Sequence, residues 1–224
     1  MDMGNGGASD RKVPTHETTY VQLRDMVLTG GLAPGQAVTI QGLIRDLSAG
    51  MTPVREAIRR LTAEGALQLH GNRRVSVPNL TAELLDQIAF ARLTIEPKIA
   101  ELAAPRLTEQ TINRLAQIDQ AINEAMRKND IHGYLAGNHC FHFTLYEASG
   151  AQILTDMAQS LWLRFGPSLR VVTARYSQGR LPDRHSDAIG AMRAGDGRAL
   201  ARAVEADIAQ GVEFVRQALQ AGEI

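Results

Sequence analysis

The sequence is short of cysteine, of aromatics, of net charge and of long apolar runs. Its single cysteine, Cys140, excludes an intramolecular disulfide framework and suits a reducing compartment. Aromatics make up only 4% of the 224 residues, so the abundant Ala and Leu must supply most of the core, as in an ordinary helical globular protein. No run reaches the ~18 apolar residues that a membrane span needs. The opening MDMGNGGASDRKV has no apolar stretch of the kind a signal peptide carries. Its polar, Gly-rich character predicts a disordered tail over 1–17, and the expected location is cytoplasmic. Lys+Arg and Asp+Glu each number 24, and the resulting zero charge argues at first sight against a strongly basic nucleic-acid binder. The length fits one or two domains.

What is present is helical periodicity, punctuated by breakers. Apolar residues at Val21, Leu23, Val27 and Leu28 predict a helix over 18–28, ended by the cluster GGLAPG. VTIQGLIRDL (38–47) reads as a short helix, and TPVREAIRRLTAEGAL (52–67) as a longer one. In the latter, Thr52 is placed to cap and Pro53 to open the first turn. LQLH, GNRR and VSVP then read as strand, turn and strand. Helix, helix, turn, helix and a two-stranded ribbon are the order of a winged helix-turn-helix, here over 18–78. Residues 79–224 read as amphipathic helices over about 81–104, 108–128, 130–148, 151–177, 183–194 and 197–220, a six- to seven-helix bundle. Pro97 falls within the first of these. The fold class is therefore mainly α, with a winged head followed by an all-α bundle.

Segmenting the charge changes its meaning. Residues 18–80 hold seven Arg against four acidic residues, 81–224 hold 15 basic against 17 acidic, and 1–17 hold two basic against three acidic. The basic excess lies in the winged head, where pairing two copies would double the phosphate contacts available.

GLAPGQ, LIRDLSAGMTPVREAIRRLTAEGALQ and GNRRVSV together resemble the winged-helix head of the GntR transcription factors. FHFTLYEASG (141–150) and the later His, Ala, Met and Gly-Asp of 185–196 resemble the FCD effector domain of the FadR-type branch. The resemblance spans roughly 18–220. It implies a homodimer on a palindromic DNA operator, controlled by a small carboxylate effector bound in the bundle. The family's Ser-Arg-Thr-Pro-Val-Arg appears here as Gly50-Met51-Thr52-Pro53-Val54-Arg55, so two usual DNA-contacting side chains are absent. Thr52 and Arg55 remain as DNA contacts, joined by Gln41 and by His70, Asn72, Arg73 and Arg74 on the wing. Arg59 and Arg60 read as a solvated face, Arg60 pairing with Glu56 or Glu64.

In the bundle the resemblance implies a metal site. Asn138 and His142 lie one helical turn apart, on one face. His185 matches the family's third ligand, and counting from Gly195-Asp196 reaches Asp207 for the fourth. The usual Asp and three His thus become Asn138, His142, His185 and Asp207. That set suits a divalent ion, zinc first, with nickel or manganese behind it. A metal-free polar pocket for an acidic effector is the bland alternative. His132 and His139 fit no ligand spacing, and His139 is expected to face away. Cys140 reads as a small buried filler. Arg92, in RLTIEPKIAELAA, either meets a ligand carboxylate or forms a buried pair with Glu96. Trp162 reads as core or pocket wall.

Three functions compete. The first is a ligand-responsive regulator, not an enzyme. The second is a metal-dependent hydrolase or lyase with a DNA-binding-like head, for which only Glu147 and Glu205 offer a general base. The third is a sensor bundle that has lost sequence-specific DNA binding, suggested by Gly50 and Met51.

Overall fold

The computed structural model describes residues 15–70, 74–176 and 184–224. The expected tail before residue 15, and the wing-tip Asn72 and Arg73, lie outside the described residues.

The head holds helices α1 (Thr15–Leu28), α2 (Ile40–Asp46) and α3 (Met51–Ala63). A small antiparallel sheet of β1 (Ala37–Thr39), β2 (Gln68–His70) and β3 (Arg74–Ser76) completes it. Helix α1 starts at Thr15, three residues before the expected start. Strand β1 is not expected from the sequence, where Val38 and Thr39 open the helix read over 38–47. The β-branched Val38 and Thr39 pair instead with Val75 and Arg74 of β3, and Thr39 then caps α2 by accepting from the Gly42 N–H. The start of α3 also differs from expectation. Gly50 is the cap and Met51 the first helical residue, so Thr52 and Pro53 sit inside the first turn. Proline is tolerated there because the N–H groups of a first turn have no helical partner. The stripe Val54, Ala57, Ile58 and Leu61 buries against Leu23, Val27, Leu43 and Val75 to form the head's core.

The bundle consists of α4 (Ala82–Ala103), α5 (Glu109–Arg127), α6 (Ile131–Ala148), α7 (Gln152–Tyr176), α8 (Arg184–Ala194) and α9 (Gly197–Gln220). Thr81, Thr108, Asp130 and Asp196 cap four of these helices through their side chains. Helix α4 runs through Pro97 and packs on α9 and α7. None of the described helices is long and apolar enough to cross a membrane.

Helix α7 joins the two parts. Its Arg164 donates from Nε and Nη2 to the Glu64 carbonyl at the end of α3, at 3.2 and 3.0 Å. Its Arg170 donates to the Gly30 carbonyl just past α1. Gly65 has a φ of +76°, and a Cβ there would fall 2.7 Å from the Arg164 guanidinium. The left-handed backbone favours glycine at this helix end, and a side chain there would also make the overlying guanidinium shift.

Candidate functional site

On the head, Gln41 of α2 and Thr52 and Arg55 of α3 are exposed. Arg55 makes no ion pair among the described residues, so its guanidinium is available to a ligand. Its neighbours are engaged. Arg59 binds Glu56 at 2.6 and 3.0 Å. Arg60 does not take the expected Glu56 or Glu64. It reaches Glu17 of α1 at 2.7 Å and lies 3.6 Å over the Tyr20 ring. Glu56 is taken by Arg59, and Glu64 accepts from the Tyr20 hydroxyl, which leaves Arg60 to tie α1 to α3. On the ribbon, His70 and Arg74 are exposed and opposite one another in register. His70 Nε2 lies 2.7 Å from Ser76 Oγ.

In the bundle, three of the four expected ligands come together. His142 of α6, His185 of α8 and Asp207 of α9 each offer an atom within 4.8 Å of the others. Both histidines are buried. His142 Nε2 is 3.0 Å from Asp207 Oδ2, yet it has no partner in hydrogen-bond geometry. Burial alone would raise the Asp207 carboxyl, but the adjacent His142, His185 and Arg92 outweigh it and hold the group at about 2. Asp207 is therefore a carboxylate throughout the neutral range. Asn138 is buried one turn before His142 and faces the same cavity as Asp207.

That cavity encloses about 60 Å³ and is walled by Arg92, Tyr134, Asn138, Trp162, Asp207 and Gln210 with apolar residues between them. The volume decides the size of ligand. It accommodates a few waters or a carboxylate of a few carbons without rearrangement. Burial and the Asp207 charge both push the Tyr134 phenol well up, so it remains a neutral donor.

Other residues stand apart from this centre. His132 and His139 line a groove between α1 and α6, and His139 stacks on Phe143 with ring centroids 4.3 Å apart. Burial pushes His139 down to about 4. Cys140 is exposed on the same groove, not buried, because the helical turn that sends His142 inward sends Cys140 outward. Glu147 and Glu205 are both exposed, so neither is set beside the cluster as a general base.

Arg92 and Glu96 form the buried pair, Nε to Oε1 at 2.5 Å and Nη2 to Oε2 at 3.2 Å. Glu96 Oε2 also accepts from Tyr146 Oη at 2.7 Å and from Trp162 Nε1 at 2.9 Å. Sequence spacing points to Glu96 as Arg92's partner but gives no sign of Tyr146. It also misses Asp119, whose Oδ1 lies 3.4 Å from His185 Nδ1. A lone Asp in the middle of an amphipathic helix carries no signal that it will be buried.

A winged head braced on a helical bundle with a buried polar centre defines a DNA-binding transcriptional regulator. Residues 15–77 match the bacterial regulatory proteins of the gntR family, and residues 87–210 match the FCD domain. The chain belongs to this GntR/FCD family. The HTH-type transcriptional regulator McbR of Escherichia coli is 31% identical over 66% of each chain. The solved structure of E. coli McbR/YncC is 25% identical, covers 92% of this chain and 99% of its own, and has a TM-score of 0.83. The HTH-type transcriptional repressor RspR of E. coli is 24% identical over 92% of this chain and 91% of its own.

Proposed function

We propose that this regulator binds a palindromic operator as a homodimer and that a small carboxylate in the bundle cavity controls its affinity. The observation that carries the reading is the convergence of His142, His185 and Asp207 beside a 60 Å³ cavity walled in part by α7, the helix that grips the head. Two imidazoles, a carboxylate and the nearby Asn138 amide suit a divalent ion, zinc first, then nickel or manganese. A buried imidazole nitrogen without a hydrogen bond beside a carboxylate supports that fit. When bound, the ion would supply positive charge to anchor the effector's carboxylate. The domain division we adopt is a tail over 1–17, a DNA-binding head over 18–78 and an effector domain over 79–224.

Helix α7 offers a route from ligand to DNA. Its Trp162, Phe165, Leu169 and Thr173 wall the cavity, while Arg164 and Arg170 hold carbonyls at the ends of α3 and α1. A shift of α7 on ligand binding moves the recognition helix with it. Arg164→Ala is expected to leave basal DNA binding largely unchanged. Any effect of Zn(II) on DNA affinity, on the order of 5–150-fold where such coupling exists, should collapse toward none. Fluorescence anisotropy with and without Zn(II) measures both quantities.

DNA contact is proposed for Gln41, Thr52, Arg55, His70 and Arg74, with Asn72 and Arg73 of the wing tip. Arg55 leads, because its cation, at the start of α3, has no ion-pair partner among the described residues. Selection from a random duplex pool should retrieve a preferred sequence. Arg55→Ala should weaken binding to it by roughly 1–3 kcal/mol, with less loss on random duplex. If the native protein shows no preference over random duplex, the reading fails and the sensor without specific DNA binding replaces it.

A further inference from the structure

We propose that Tyr146 is a positioning residue that fixes which nitrogen of His142 is offered to a metal. The proposal rests on reading His142, His185 and Asp207 as ligands, and it begins from hydrogen-bond bookkeeping. Tyr146 is fully buried, and its hydroxyl has two close partners: Glu96 Oε2 at 2.7 Å and His142 Nδ1 at 3.0 Å. Glu96 is surrounded by donors, receiving Arg92 and Trp162 as well. A carboxylate only accepts, so the single phenolic proton is committed to Glu96. The phenolic oxygen can then only accept from His142, and Nδ1 must carry the proton.

The consequence falls on the other side of the ring. Nε2 keeps its lone pair for the side where Asp207 Oδ2 sits, 3.0 Å away. In the opposite neutral tautomer the proton would sit on Nε2, the atom 3.0 Å from Asp207 Oδ2. That tautomer would block the atom a metal needs. Tyr146, held by Glu96, forbids it. The neutral His142 ring is thereby kept with its Nε2 lone pair free to ligate, and a cation bound there would relieve the repulsion between that lone pair and the Asp207 carboxylate.

The test reads the tautomer directly. In metal-free wild type at about pH 8.5, long-range ¹H–¹⁵N correlation should show the His142 proton on Nδ1, whereas in Tyr146→Phe it should move to Nε2. Competition for Zn(II) against a chelating dye should show a roughly 10–100-fold weaker site in Tyr146→Phe, as for other outer partners of metal ligands. A bare Nδ1 in wild type overturns the proposal without any variant. So does a variant whose tautomer and Zn(II) affinity both match wild type. If wild type binds no Zn(II), the metal reading fails on its own, and the tautomer comparison still decides whether Tyr146 sets the ring.

Discussion

Arg92→Ala is expected to destabilise the protein by about 3–5 kcal/mol, measured by urea unfolding of the purified chain. The cost does not come from losing a favourable pair. Taking two charges out of water is itself expensive, and such a pair gains little over apolar residues of the same volume. It comes from what remains. Glu96 is fully buried, and without Arg92 its charge keeps only Tyr146 and Trp162 as neutral donors. Arg92→Met with Glu96→Gln should therefore lose less than Arg92→Met alone, because the amide oxygen can still accept from Trp162 while no orphan charge is left. The same experiment weighs the two roles open to Arg92 in the sequence. An arginine reserved for an effector carboxylate would be cheap to remove in the absence of effector. The 2.5 Å contact to Glu96 argues that its charge is already engaged, although the guanidinium still forms part of the cavity wall.

The helices are legible because each has an apolar stripe and a recognisable stop, such as Gly30, Pro105 or Gly195. Those signals are local, and so are the errors. Strand β1 is three residues long and abuts α2, so period alone cannot separate the two. The start of α3 is misplaced because Thr and Pro are good opening residues, while Gly50 caps with no side chain at all. The His-Asp cluster is legible for a different reason. Family spacing locates His142, His185 and Asp207, and packing of α6, α8 and α9 brings them within 4.8 Å. What the sequence does not reveal are partners fixed only by packing. Glu17 for Arg60, Asp119 for His185 and Glu64 for Arg164 are each set by how helices dock, and no residue type announces them. The bracing of the head by α7 joins residues 100 apart in sequence, which is why a reading by segments treats the two parts as separate.

Asn138→Asp is expected to bind Zn(II) at least about tenfold more tightly than wild type, and His142→Ala on the order of 100-fold more weakly. The first expectation follows from charge. The wild-type cluster offers one carboxylate, Asp207, and two neutral imidazoles, with an amide at position 138. A second carboxylate one turn from His142 adds a formal negative charge where a dication would sit. Without metal the same substitution should be harmful, because the introduced carboxylate and Asp207 would face one small cavity with like charges. The metal-free variant should melt below wild type and gain more from Zn(II) than wild type does. At saturating metal a tenfold affinity gain amounts to about 1.4 kcal/mol of added stabilisation, which a thermal melt resolves. Linkage to pH gives an independent check. The Asp207 carboxyl is held at about 2, below its ordinary value of 3.8, so its contribution to stability is present above pH 3.8 and is lost as pH falls toward 2. If Asn138→Asp leaves Zn(II) affinity unchanged while His142→Ala abolishes binding, the metal is held by three ligands. Asn138 then serves the effector in the cavity, as a neutral amide suited to hydrogen-bonding a carboxylate.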